Sequence, residues 1–311
     1  MSDIRPTSRD SGAPSLRARM LIAALRLTGA KRTFASATAL RRSIDKSQRP
    51  RRDRPPAALC RRHRVTQWEV HGRPVFTIRP RHGSGSRHVF YLHGGAYVHQ
   101  IQRDHWKFLS RLVDRTGCTV TVPLYPLAPH HHPGDTIPMI VAAHDAAFAD
   151  TSPEDRVFMG DSAGGALALV LARSIGAAGA AGPKDVVMIS PWLDVTMSDP
   201  TAEDIDPHDP YLGISGLAEA GRLYAGGRDR SDPVISPLFA PAATPGRLSL
   251  FVGTRDVLLA DARRFRARCA DEGVDLGYFE YEGMFHAWLL ADIPEARRAM
   301  RHLVRIVQEA A

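Results

Sequence analysis

The sequence predicts an α/β protein: a mostly parallel central sheet of about eight strands, with helices on both faces and a helical cap. Three observations point there. Short runs rich in Val, Ile, Phe and Tyr alternate with helical patterns from residue 89 to the C-terminus. That alternation is interrupted once, over about 195–230, by a stretch rich in Asp and Pro that turns helical near 216–225. Two glycine-framed motifs, His93-Gly94-Gly95-Ala96-Tyr97 and Gly160-Asp161-Ser162-Ala163-Gly164-Gly165, each follow a short apolar run.

In chain order, residues 1–60 form a basic arm with a cap helix, and residues 61–311 form the main domain with its insertion at about 195–230. The first twelve residues are polar and broken by Pro6 and Gly12, so they should carry little packing. Leu16, Met20, Ala23 and Leu27 fall near one helical face, with Arg19 and Arg26 off it. A linker is expected around residues 48–56. Residues 65–70 and 75–79 read as a hairpin about His71-Gly72-Arg73-Pro74. Further strands are expected at 89–92, 118–122, 157–159, 186–189, 248–252 and 276–281. The chain closes with an amphipathic helix over 295–309.

The second glycine motif is a G-x-S-x-G turn between a strand and the helical run 166–171. A serine there sits on strained backbone, and small neighbours are needed because helix and strand approach closely. The helix N-terminus points amide groups at negative charge developing beside Ser162. The first motif supplies the complementary part. A loop after strand 89–92 presents free N–H groups, the second half of an oxyanion hole for acyl transfer. Without it, G-x-S-x-G alone would be a weak signal.

A serine nucleophile needs a base and an acid, in the order Ser, Asp or Glu, His. Downstream of Ser162 the histidines are His208, His286 and His302. His302 lies in the C-terminal helix and reads as a surface position. His208 sits in a loop among acidic residues and prolines. His286 follows strand 276–281 on a short loop, so it is the expected base. Asp256 follows strand 248–252 at the carboxyl edge of the sheet, where ligand crevices form, and is the expected acid. Its competitor, Asp261, reads as an exposed residue early in the next helix.

These residues resemble the bacterial hormone-sensitive-lipase-type esterases, a branch of the α/β-hydrolases. The resemblance spans more than two thirds of the chain. It rests on the two glycine motifs together with Tyr125-Pro126-Leu127-Ala128-Pro129, Ser190-Pro191-Trp192-Leu193-Asp194, Gly253-Thr254-Arg255-Asp256 and Gly283-Met284-Phe285-His286-Ala287-Trp288. It implies an α/β-hydrolase fold, with Ser162 as nucleophile, His286 as base and Asp256 as orienting acid. The backbone N–H groups of Gly94, Gly95 and Ala163 would form the oxyanion hole. It also implies short- to medium-chain acyl esters as substrates and a cap partly made by the N-terminal arm. Four positions depart from the family: Ala96 replaces a third glycine, the Arg and Glu of the Tyr-Arg-Leu-Ala-Pro-Glu pattern are Pro126 and His130, and Val257 follows the acid where Pro is usual. None removes a catalytic group.

At 311 residues and 44% apolar, the chain can bury a large core. Cys60, Cys118 and Cys269 are widely spaced and suggest neither a metal site nor a disulfide framework, which fits the cytoplasm. No apolar stretch is long enough to span a membrane. The run Met20 to Leu25, stopped by Arg26, is too short for a signal sequence. Asp204, Asp206 and Asp209 lack cation-loop spacing and read as a solvated cap loop, and His130-His131-His132 read as a polar loop rather than a metal site. No metal or organic cofactor is expected.

Charge is uneven. Residues 1–64 carry 17 Lys+Arg and 4 Asp+Glu, a net of +13, while the remainder is −5, for a total of +8. The preferred reading is a lid helix with solvated arginines. Weak contact of the arm with an anionic membrane and a homodimer stay open, and no nucleic-acid partner is expected. The expected activity is that of a serine carboxylesterase. An amidase or lactonase would use the same triad, and a non-catalytic receptor on this fold would have lost the base that His286 supplies.

Overall fold

The computed structural model describes residues 8–49, 53–83 and 85–309. In chain order it contains β1 (Ser8–Asp10), α1 (Leu16–Thr28), α2 (Ala37–Ser47), α3 (Ala57–Arg62), β2 (Arg64–Val70), β3 (Arg73–Arg79) and β4 (His88–Leu92). There follow α4 (Arg103–Thr116), β5 (Thr119–Pro123), α5 (Pro133–Ala147), β6 (Arg156–Asp161), α6 (Ala163–Ala177) and β7 (Asp185–Ile189). The chain continues through α7 (Thr201–Ile205), α8 (Ile214–Ala225), β8 (Arg247–Gly253), α9 (Leu259–Asp271), β9 (Leu276–Tyr281) and α10 (Pro294–Gln308).

One sheet holds the strands in the order β1-β9-β8-β7-β6-β4-β5-β3-β2. Only the β2–β3 and β3–β5 pairings are antiparallel. Strands β4, β7 and β9 are buried along their whole length, as a parallel sheet covered on both faces demands. One apolar layer contains side chains of α5, α6, α8 and α9; the other contains those of α4, α10 and the inner face of α1. All eight expected strands form, and the β2–β3 turn tightens to His71 and Gly72, both at positive φ.

The ninth strand, β1, corrects the expectation that the first twelve residues carry little packing. Ser8–Asp10 pairs in parallel with Phe279–Tyr281, and the Glu282 N–H donates to the Asp10 carbonyl at 2.9 Å. Arg298 closes on the Asp10 carboxylate at 2.9 Å. The expected linker is corrected in part too: the Gln48 side chain donates to the carbonyls of Val98 and Ala128, both at 2.8 Å. Residues 50–52 of that stretch lie outside the described residues.

The arm and the insertion meet above the carboxyl edge of the sheet. The Gly216 N–H donates to the Phe34 carbonyl at 2.9 Å, and a Cβ at Gly216 would lie 2.5 Å from Phe34 Cα, so only glycine fits. Arg41 pairs with Glu219 at 2.6 Å, and Lys31 with Asp206 at 3.1 Å. Leu40 and Ile44 of α2 are buried in the same layer as Leu217 and Tyr224 of α8.

Candidate active site

The turn from β6 into α6 places Ser162 at φ 55° and ψ −123°, a left-handed conformation costly for a residue with a side chain. The turn is over-determined. The Ser162 N–H donates to the Ile189 carbonyl at 2.9 Å, and its own carbonyl accepts from Trp192 and Gly165, both at 3.0 Å. Gly160 and Gly164 are glycines for the expected reason: a Cβ on either would run into backbone, Gly160 into Gly164 and both into Leu92.

Asp256 follows β8 and is fully buried. His286 follows β9, and its Nδ1 lies 3.0 and 3.1 Å from the two Asp256 carboxylate oxygens. The loops carrying them are stitched together: Arg255 N–H donates to the Met284 carbonyl at 2.8 Å, and Gly283 N–H to Thr254 Oγ1 at 2.7 Å. Burial works to lower the His286 pKa, but the charge and hydrogen bond of Asp256, with Asp209 and Asp161 beyond, outweigh it and raise the value. Ser162 and His286 line one cavity of about 330 Å³, shared with Leu21, Leu25, Phe34 and Leu212 of the arm and insertion.

Of the three expected oxyanion donors, Gly94 is a correction. Its N–H donates to Asp161 Oδ1 at 2.9 Å, so it is not available to a substrate. Asp161 also accepts from Tyr91 at 2.6 Å and His105 at 3.2 Å. Burial would raise the pKa of this carboxylate; His105 first, then the hydrogen bonds from Tyr91 and Gly94, hold it below its ordinary value. Asp161 thereby clamps the 93–97 loop to the Ser162 turn. Gly95 and Ala96 line the cavity. Among the described residues their N–H groups and that of Ala163 have no hydrogen-bond partner. Ala96 stands at φ 53°, tolerating the conformation its missing glycine would adopt freely.

Other expectations fall out differently. Asp261 is buried, not exposed; burial and then nearby Asp194 push its pKa up to about 8, and it sits against Arg264 rather than against His286. His302 is half-buried against Phe279 rather than on the surface. His208 is exposed, and His131 is engaged by Arg73 at 2.6 Å. Among the described residues no group of three ligating side chains could hold a metal.

Asp209 is the functional neighbour that sequence reasoning missed. It was expected in a solvated loop with Asp204 and Asp206, yet it is buried. Its Oδ1 accepts from the N–H groups of Tyr211 at 2.7 Å and Leu212 at 2.9 Å, and its Oδ2 from Val257 at 3.0 Å. Burial, then the Asp256 charge, push its pKa up to about 6 against the pull of those donors and His286. It ties the insertion to the loop of Asp256. Tyr211, two residues on, stacks parallel to the His286 ring at 6.3 Å. The only signal in the sequence was a carboxylate within the insertion, which spacing alone could not place beside Asp256.

Comparison with known proteins agrees with this geometry. Residues 89–290 match the α/β-hydrolase fold family. An esterase of Acinetobacter venetianus is 30% identical over 225 residues, covering 70% of this chain and 73% of its own. An acetyl-hydrolase of Streptomyces hygroscopicus is 30% identical over 226 residues, covering 72% and 75%. A crystal structure of an esterase from the bacterial hormone-sensitive lipase family superposes with a TM-score of 0.81 at 26% identity, covering 96% of this chain and 99% of that one. The chain therefore belongs to the α/β-hydrolase fold family, in its bacterial hormone-sensitive-lipase branch.

Proposed function

We propose that this carboxylic ester hydrolase works through Ser162 as nucleophile, His286 as base and Asp256 as orienting acid. The observation that carries the reading is the His286–Asp256 contact at 3.0 Å, on a cavity that Ser162 lines from a strained turn. Ser162 Oγ attacks the ester carbonyl while His286 Nε2 takes its proton. Asp256 accepts from Nδ1–H, which fixes the tautomer and stabilises the imidazolium. The oxyanion takes hydrogen bonds from the N–H groups of Gly95 and Ala163, with Ala96 the third unengaged donor. His286 returns the proton to the leaving alcohol, then activates water to release the acid from the acyl-enzyme.

The substrate is a small ester. A cavity of about 330 Å³, walled by Leu21, Leu25, Phe34 and Leu212, suits short- to medium-chain acyl groups. The similar Streptomyces protein is an acetyl-hydrolase, at the short end of that range. The cap is the arm together with the 195–230 insertion. The compartment proposed is the cytoplasm, on the three unpaired cysteines. No helix among the described residues is long and apolar enough to cross a membrane.

The test is a panel of p-nitrophenyl esters of increasing chain length on the wild type and on Ser162→Ala. The variant should fold normally and lose roughly 10⁴-fold or more in kcat, because triad members act as a unit. Retention of a tenth of wild-type activity would sink the assignment.

A further inference from the structure

Helix α1 has two apolar faces. At about 100° per residue, Ala18, Leu21, Ile22 and Leu25 share one side, and Leu16, Met20, Ala23 and Leu27 share the opposite side. The first set is accounted for: Ala18 and Ile22 are buried in the core, while Leu21 and Leu25 line the cavity of Ser162. The second set faces water. Leu16 is 69% exposed, Met20 64% and Leu27 86%. Among the described residues the only other exposed large apolar side chain is Phe239, at 37%. Scattered exposed apolar residues are ordinary, but three of four on one stripe of one helix form a patch that marks a contact surface.

Charge says what kind. Arg19 and Arg26 run along one edge of the stripe and Arg17 along the other, all exposed. Arg17 reaches Asp292 at 2.8 Å, but Arg19 and Arg26 have no acidic partner among the described residues. Residues 16–47 carry eight Lys+Arg against the single carboxylate of Asp45. An apolar stripe with arginine edges matches a surface of acyl chains under anionic headgroups. A second copy of the chain fits less well, since stripe against stripe would bring arginines against arginines.

We propose that α1 seats the enzyme on an anionic lipid surface, lying in the headgroup plane with Leu16, Met20 and Leu27 inserted. Its opposite face then roofs the catalytic cavity, so esters dissolved in the lipid lie one helix away from Ser162. That last consequence rests on the esterase reading; the binding itself does not.

The test is co-sedimentation of the full chain with vesicles of phosphatidylcholine alone and of phosphatidylcholine mixed with phosphatidylglycerol. Binding is expected to the anionic vesicles and to weaken with salt. The triple variant Leu16→Ser, Met20→Ser, Leu27→Ser should lower the partition roughly tenfold or more. It should keep its circular-dichroism melt and its hydrolysis of soluble p-nitrophenyl butyrate. Ser162→Ala should bind vesicles like the wild type, and a wild-type protein that binds vesicles yet hydrolyses no ester would sink the esterase reading and leave the surface standing. Failure to bind anionic vesicles, equal binding to neutral ones or an unaffected triple variant overturns the proposal. So does a dimer in sedimentation equilibrium that the triple variant dissolves.

Discussion

Gly216→Ala tests whether the arm and insertion act as one cap. The added Cβ would lie 2.5 Å from Phe34 Cα and 2.7 Å from its carbonyl carbon, both backbone atoms that no side-chain rotation can move aside. Overpacking of that kind costs about 1–3 kcal/mol. The hydrogen bond from Gly216 N–H to Phe34 O is lost as the segments part, costing about 1 kcal/mol more, and alanine in α8 returns about 1 kcal/mol of helix propensity. The net is about 1–3 kcal/mol. The half-exposed pairs Arg41–Glu219 and Lys31–Asp206 offset at most about 1 kcal/mol each. Burial of Leu40 and Ile44, about 1.5–3 kcal/mol apiece, exceeds the clash. The arm should therefore stay docked while Phe34, which lines the cavity, is displaced. A Tm lower by roughly 2–6 °C is expected. KM for an octanoate ester should rise several-fold while kcat on butyrate stays close to wild type. Steady-state kinetics on both esters, with a thermal melt, decide it. A lowered Tm with unchanged octanoate KM would show that Phe34 does not shape the acyl site.

The remaining expectations are briefer. Asp256→Asn should cost roughly 10⁴-fold in kcat by favouring the wrong His286 tautomer, whereas Asp261→Asn should stay within a few-fold; the reverse ordering in steady-state kinetics would overturn the choice of acid. Asp209→Asn removes a negative charge that helps raise the His286 pKa, so that pKa falls and His286 stays neutral, able to act as base, to lower pH. The acid limb of the kcat/KM profile should move to lower pH, and an unmoved limb would detach Asp209 from the base. Deleting residues 1–10 removes β1 and the Asp10–Arg298 pair, so Tm should drop by roughly 2–6 °C with butyrate kinetics within a few-fold, checked by calorimetry and rate assays.

What the sequence made legible is what local pattern encodes. The eight expected strands are short β-rich runs bounded by turn residues, and burial in a parallel sheet demands that composition. Ser162, Asp256 and His286 each follow a strand, so their places at the carboxyl edge could be read from strand ends alone. β1 had no such signal. Its partner, Phe279–Tyr281, lies near the opposite end of the chain, and three residues of Ser-Arg-Asp carry no periodicity.

The charged groups around the site escaped for a different reason. A carboxylate in a sequence reads as solvated, because burying one without partners is costly. Asp161, Asp209 and Asp261 are all buried; Asp161 and Asp209 draw partners from elsewhere in the fold, whereas Asp261 faces Arg264, three residues on in its own helix. Asp161 takes the N–H of Gly94 from the neighbouring β4 loop, which removes Gly94 from the oxyanion hole while fixing the loop that holds Gly95 and Ala96. Asp209 takes the N–H of Val257, immediately after the acid. Each clamp joins two parts of the site: the 93–97 loop to the Ser162 turn, and the insertion to the Asp256 loop. Loss of either carboxylate should therefore disturb the alignment of the triad and hole more than the stability of the domain, since the sheet beneath is buried and paired independently of both.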